Sequence, residues 1–202
     1  MDAQLTALIV HDLKNALGVL EGDLSFLKEE PDQPRADRAH AQCVHLREKL
    51  VGFLTLYKAS EQGLEARIEA ISPDDFLRGL LADRFTDRPE ITLTIDDSSA
   101  MPAVAFFDEH LIGLALDAAL QNATRFAKTG IVIACHTEDN SLVFTIHDDG
   151  PGLHTQETLP STGLGMALCN VIARSHHNAD RQGEVSLTNH VDGGALFTMK
   201  LP

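Results

Sequence analysis

Between residues 5 and 57 the apolar positions fall at helical spacing. Leu5, Ile9, Leu13, Ala16, Leu20, Leu24 and Leu27 recur at steps of three and four, which predicts one amphipathic helix. The stretch from Lys28 to Pro34 ends it. From about Ala36 the pattern resumes, with Cys43, Leu46, Leu50, Phe53 and Tyr57 again three and four apart. Two such helices with a short proline-containing link predict an antiparallel hairpin, and one hairpin cannot bury both stripes by itself. A homodimer that closes a four-helix bundle is the expected solution.

Near Ser72 the texture changes. Ser72, Pro73, Asp74 and Asp75 supply an N-cap, a proline for the first helical turn and acids for the helix dipole. The expected domains are therefore 1–71, a helical hairpin, and 72–202. In the second, the pattern predicts a helix to about Arg84, a strand over Ile91 to Ile95, and a helix from about Glu109 to Lys128 capped by Asp108. Strands then follow at Ile131 to His136 and Leu142 to Ile146, a helix from about Gly165 to His176, and strands at Val185 to Thr188 and Leu196 to Leu201. Strands and helices mix without strict alternation, so the expected class is α+β, a mixed sheet with helices on one face.

Charge and composition narrow the function classes. The formal net charge of −14 over 202 residues makes a nucleic-acid surface or an anionic membrane surface a poor partner, and no Lys/Arg run opposes the global field. Cys43, Cys135 and Cys169 are odd in number and lack metal-ligand spacing, so they are expected as reduced thiols in a cytoplasmic protein. The N-terminal sequence shows neither a signal pattern nor a long apolar run, and no membrane insertion is expected.

The first candidate chemistry lies at residues 11 to 15, His-Asp-Leu-Lys-Asn. At about 100° per residue, His11, Asn15, Gly18 and Gly22 share one helix face, roughly opposite the apolar stripe. Two glycines inside a helix each cost on the order of 1 kcal/mol relative to alanine, yet here they clear side chains from the strip beside the histidine. A neutral imidazole can attack a γ-phosphate when a neighbouring carboxylate, here Asp12, fixes its tautomer and takes the proton of the other ring nitrogen. A solvated His-Asp pair on a surface helix is the plain alternative.

Three further strings follow. Asn122, in Leu-Gln-Asn-Ala-Thr-Arg-Phe, is expected within the apolar sector formed by Leu111, Ile112, Ala115, Ala119 and Phe126. Such an amide is either satisfied by the backbone or kept for a ligand, for which its oxygen suits Mg2+. Asp148-Asp149-Gly150-Pro151-Gly152 follows an apolar strand. There a carboxylate can accept from an adenine amino group while Gly150 and Gly152 let the backbone pass close to the ring, although an ordinary Asp-Gly turn would read the same way. Gly163-Leu164-Gly165-Met166-Ala167 opens a helix, where N–H groups and the positive dipole end can face phosphate.

His-Asp-Leu-Lys-Asn-x-Leu is similar to the phospho-accepting box of two-component sensor histidine kinases. The Asn122, Asp148 and Gly163 strings, with Gly193-Gly194-Ala195-Leu196-Phe197, resemble that family's nucleotide boxes in the same order over nearly the whole chain. The resemblance implies a Bergerat-type ATPase sandwich, shared with gyrase, mismatch-repair and heat-shock chaperone ATPases. It implies ATP and Mg2+ as ligands, His11 as nucleophile, Asp12 as its base, and Asn15 as the residue that orients water for dephosphorylating the partner. Asn122 would hold the metal, Arg125 touch phosphate, Phe126 lie against adenine and Asp148 fix the base. Gly150, Gly152, Gly163, Leu164 and Gly165 would wrap the nucleotide beneath a lid over Leu153 to Thr162. The implied partners are a second copy, the receiver domain of a response regulator, and a sensor that is a separate protein or a domain missing from this chain.

The sequence also departs from the family. Ala16 stands where a helix-kinking proline is frequent. Ala118 stands where the family places another Asn and where gyrase-like ATPases have a general-base Glu, which argues against hydrolysis by activated water. The lid lacks a Phe-rich box, and His177-Asn178-Ala179-Asp180 replaces the usual His-Gly turn. A phosphotransfer adapter that has lost ATP binding is therefore one alternative. An anti-sigma-type serine kinase is another, though it gives no reason for the hairpin or for His11.

Overall fold

The computed structural model describes residues 3–82, 90–96, 100–153 and 163–202, with the side chains of 3–5 and 8 left aside. The expected helix end at Arg84, the side chain of Leu5 in the first stripe and lid residues 154–162 lie outside what is described. The chain divides into two units, one built on residues 1–63 and the other on most of the remainder.

The first unit is two long helices, α1 (Ala3–Glu29) and α2 (Gln33–Gln62). Pro34 in the first turn of α2 fits there because that N–H lacks a helical partner in any case. Arg35 reaches back to α1, 3.6 Å from Asp23, with its guanidinium 3.5 Å from the Phe26 ring centre. Ile9 and Leu20 of α1 and Ala39, Gly52 and Leu56 of α2 are buried. The stripe expected on α2 is not the buried one, because Cys43, Leu50 and Tyr57 are exposed. On α1, Leu24 is exposed with Val10 and Leu17, seven residues apart. Two helices offer each other one seam, and the apolar surface beyond that seam stays outside.

The second unit begins upstream of Ser72, since β1 (Glu69–Ile71) pairs antiparallel with β3 (Ala105–Phe107), two strands too short to show an alternation in the sequence. Ser72 receives the Asp75 N–H on its Oγ at 3.3 Å and opens α3 (Pro73–Ala82). The main sheet comprises β2 (Thr92–Ile95), β4 (Gly130–Glu138), β5 (Ser141–Asp148), β8 (Glu184–Asn189) and β9 (Ala195–Leu201). Its order is β2-β4-β5-β9-β8, with β2 parallel to β4 and the other pairs antiparallel. Two more helices complete the unit, α4 (Glu109–Phe126) and α5 (Leu164–Ser175). The residues 177–182 that replace the His-Gly turn form a small hairpin of β6 (His177–Asn178) and β7 (Arg181–Gln182), turned at Ala179 with φ 51°.

Alternation in the sheet separates its faces. Ile131, Ile133 and Cys135 of β4, Phe144, Ile146 and Asp148 of β5, and Phe197 and Met199 of β9 share the buried face. Phe76, Phe107 and Phe144 meet edge-on with ring centres 5.2–6.1 Å apart, each burial contributing roughly 1.5–3 kcal/mol. Cys169 of α5 donates its thiol to the Ala115 carbonyl of α4 at 3.3 Å, tying the two helices over this core.

Candidate functional site

The sequence-predicted residues fall in two groups along the chain, His11, Asp12 and Asn15 on α1 and Asn122, Arg125, Phe126, Asp148, Gly150, Gly152 and Gly165 in the sheet unit, while Gly163 and Leu164 group with the first unit. On α1 the His11 side chain is 67% exposed. Asn15 Nδ2 stands 3.2 Å from His11 Nδ1, and Asp12 Oδ1 lies 3.9 Å from the same nitrogen. Both neighbours stand beside Nδ1, and the Asn15 N–H can meet it only as an acceptor. A Cβ built at Gly18 or Gly22 would meet nothing within 4 Å, so the strip beside His11 is open as expected. Exposed Val19 and Phe26 flank that strip. They fit neither apolar stripe in the sequence, which is why pattern reading passed over them.

In the sheet unit, Asp148 ends β5 and is buried, with 4% exposure. Its Oδ1 accepts from Gly150 N at 2.9 Å and from Ala195 N at 3.4 Å. These contacts hold the carboxylate in one orientation through Oδ1. At Gly150 a Cβ would stand 2.6 Å from both Asp148 Oδ1 and the Phe126 carbonyl, so only glycine lets β5 pass this close to the end of α4. Gly194, with φ +79°, is packed more tightly still against the Asp148 carbonyl. Gly152 follows, and the Leu153 N–H beside it donates to Asn189 Oδ1 at 2.6 Å.

The α4 wall is positioned from both ends. Asp108 accepts Leu111 N on Oδ1 at 2.9 Å and Arg67 N on Oδ2 at 2.7 Å, while its own N–H donates to His176 Nε2 at 3.0 Å. The side of α4 that packs on the core runs through Ile112, Leu116, Ala119 and Ala123. Asn122 lies at the edge of that sector and is exposed, which corrects the expected burial. Its amide therefore needs no internal partner. Gly165, at the start of α5, would place a Cβ 3.7 Å from Ala118, one turn before Asn122. Leu164 is buried, and Gly163 ahead of it has φ +68°, a conformation that favours glycine. Arg125 is exposed with its guanidinium 5.1 Å from the ring centre of half-buried Phe126.

Sequence reasoning gave Asp149 no task beyond a turn. Its carboxylate accepts from Lys128 N at 2.7 Å, from Thr129 N at 3.0 and 3.1 Å, and from Thr129 Oγ1 at 2.5 Å. Desolvation pushes this carboxyl up, but the Thr129 hydroxyl and the N–H groups of Thr129, Gly130 and Lys128 outweigh it and hold it below the ordinary carboxylate range. Among the described residues, no group of three or more His, Cys, Asp or Glu side chains could hold a metal ion, and no helix is long and apolar enough to cross a membrane. Asn122 offers one exposed hard oxygen at the end of α4, which fits Mg2+ carried mainly by phosphate oxygens and water.

Residues 107–202 match the family model described as histidine kinase-, DNA gyrase B-, and HSP90-like ATPase. The sensor protein KdpD of Escherichia coli is 24% identical over 222 residues, which cover 98% of this chain and 24% of KdpD. The chain thus spans about a quarter of that relative's length. The solved Acinetobacter baumannii histidine kinase AdeS has a TM-score of 0.70 at 23% identity, covering 95% of this chain and 96% of that one. Histidine kinase ThkA, solved in complex with the response regulator protein TrrA, has a TM-score of 0.66 at 16% identity, covering 99% and 61%. At these identities the likeness to the solved structures is one of fold.

Proposed function

We propose, for a chain that resembles the core of a two-component sensor histidine kinase and carries at residues 107–202 an ATPase domain of the histidine kinase-, DNA gyrase B-, and HSP90-like family, that it phosphorylates His11 from ATP and passes the phosphoryl group to an aspartate of a response regulator. The observation that carries this reading is the held Asp148 carboxylate, buried and aimed by Gly150 and Ala195 on a glycine-cleared strand end. A base bound there would donate its amino group to Asp148, with Phe126 against the ring. Arg125 and the N–H groups opening α5 would face the phosphates. Asn122 would hold Mg2+, which supplies charge neutralisation on the transferring phosphate.

At the helical unit, where the Asn15 N–H meets Nδ1 of His11 as an acceptor, the step begins with the other tautomer: once Asn15 releases Nδ1, a proton on Nδ1 directed to Asp12 frees the Nε2 lone pair. Nε2 then attacks the γ-phosphorus in line, the N–P bond forms as the bond to the bridging oxygen breaks, and ADP leaves. Asn15, on the same face, would orient a water for the removal of phosphate from the regulator. The crystallised pairing of ThkA with TrrA supports a response regulator as partner. Exposed Val10, Leu17 and Leu24 of α1, with Leu50 and Tyr57 of α2, support a homodimer closed as a four-helix bundle.

Calorimetry with ADP and Mg2+ tests the nucleotide step. Dissociation constants of roughly 10–500 μM are expected, about 5–7 kcal/mol of binding. Asp148→Asn should weaken binding by about 1.5–3 kcal/mol through loss of a charge-assisted hydrogen bond. No heat at millimolar nucleotide would leave only an adapter that receives phosphate from elsewhere.

A further inference from the structure

Asp148 and Asn122 stand on different elements, and a nucleotide spanning both requires a fixed distance between the end of β5 and the end of α4. Two interactions set that distance. On one side the Phe126 carbonyl rests against Gly150, so closely that a Cβ there would lie 2.6 Å from it. On the other, Asp149 gathers Lys128 N, Thr129 N and Thr129 Oγ1 from the turn that leaves α4, while its own N–H donates to the Gly130 carbonyl at 3.2 Å. Adjacent carboxylates thus divide the work. Asp148 faces the core, and Asp149 points back and ties down the turn that follows Asn122, Arg125 and Phe126.

We infer that Asp149 is a positioning residue for nucleotide binding, acting through the Lys128–Thr129 turn to hold the α4 wall in register with Asp148. Resting on the nucleotide reading above, this assigns to Asp149 and Thr129 a part in affinity without contact to the ligand. An ordinary loop cap would fix only the stability of its own turn. A register clamp makes a different demand, because its loss costs ligand affinity beyond any change in the apo fold, and because a neutral acceptor of the same shape restores most of it. An Asn at this position keeps an oxygen for the two backbone N–H groups, and its amide can donate to the Thr129 hydroxyl.

The test is ADP–Mg2+ calorimetry on the whole chain and three variants, with apo thermal melting of each. Asp149→Ala should weaken ADP at least about tenfold, Asp149→Asn should bind within about threefold of the parent, and Thr129→Val, which loses only the hydroxyl, should weaken ADP about twofold to fivefold with unchanged apo melting. ADP affinity in Asp149→Ala within about twofold of the parent overturns the inference, as does an Asn variant as weak as the Ala variant. Should Asp149→Ala fail to fold, Thr129→Val decides alone, and unchanged affinity there overturns the clamp. A parent chain that does not bind ADP removes the nucleotide reading and this inference together, whereas a binding parent with unaffected variants removes only the clamp.

Discussion

At the scale of single residues, burial and hydrogen bonding separate groups that the sequence presents alike. His176 is 2% exposed, and its Nδ1–H donates to the Ile172 carbonyl at 2.9 Å while Nε2 accepts from Asp108 N. Desolvation lowers its pKa from the ordinary 6.5, against the raising influence of Ile172 and Asp108. Below about pH 6.5 the unfolded chain takes a proton that the native one refuses, so the stabilisation is complete above that pH and declines as pH falls toward the lowered native value. Urea midpoints should therefore drop between pH 7.5 and 5.5, by less in His176→Gln, and an equal drop in both would exclude His176 as the source. The thiols divide in the same way. Burial pushes Cys135 and Cys169 up to about 12, whereas Cys43 is exposed. Iodoacetamide at pH 8 should label Cys43 alone in the native chain and all three cysteines after denaturation, and native labelling of Cys169 would contradict its packing against α4. Residue identities were legible in the sequence, but their surroundings were not. Asn122 was expected to be buried because five apolar neighbours share its side of the helix, yet it falls just past the edge of the sector that packs.

At the scale of elements, the long helices and the five strands of the main sheet follow the periodicities, since each is long enough to show several repeats. The strands β1 and β3 have three residues each and exist only through their pairing, which no local pattern records. The seam of the helical unit was hidden for a different reason. Leu46, Leu50, Phe53 and Tyr57 keep helical spacing, but a stripe does not name its partner, and within one chain α2 turns Ala39, Gly52 and Leu56 inward instead. Leu17→Glu, on the heptad of exposed apolar positions, should convert the proposed dimer to monomers in sedimentation while the helical content persists. A dimer of unchanged mass would place the interface elsewhere. On the opposite strip, Gly18 has open space around its Cβ position, so Gly18→Ala should stabilise the helical unit by about 0.5–1 kcal/mol. Lower thermal stability in that variant would mean that a group outside the described contacts occupies the strip.

At the scale of the whole molecule, an acidic chain of net charge −14 combines a unit that displays an exposed histidine with a unit that holds a buried carboxylate at a strand end. Order along the chain carried the family resemblance in the sequence, because four short strings, none decisive alone, follow one another from α1 to β9. The supporting geometry, from the Ala195 donor to the Asp149 clamp, comes from residues far apart in sequence and is set only by sheet register. In the proposed function the two units serve one event, transfer of a phosphoryl group from bound ATP to His11. Incubating the chain with γ-labelled ATP and Mg2+ should give an acid-labile, base-stable labelled protein, with labelling abolished in His11→Gln and reduced in Asp148→Asn. Full labelling of the His11→Gln protein would contradict it.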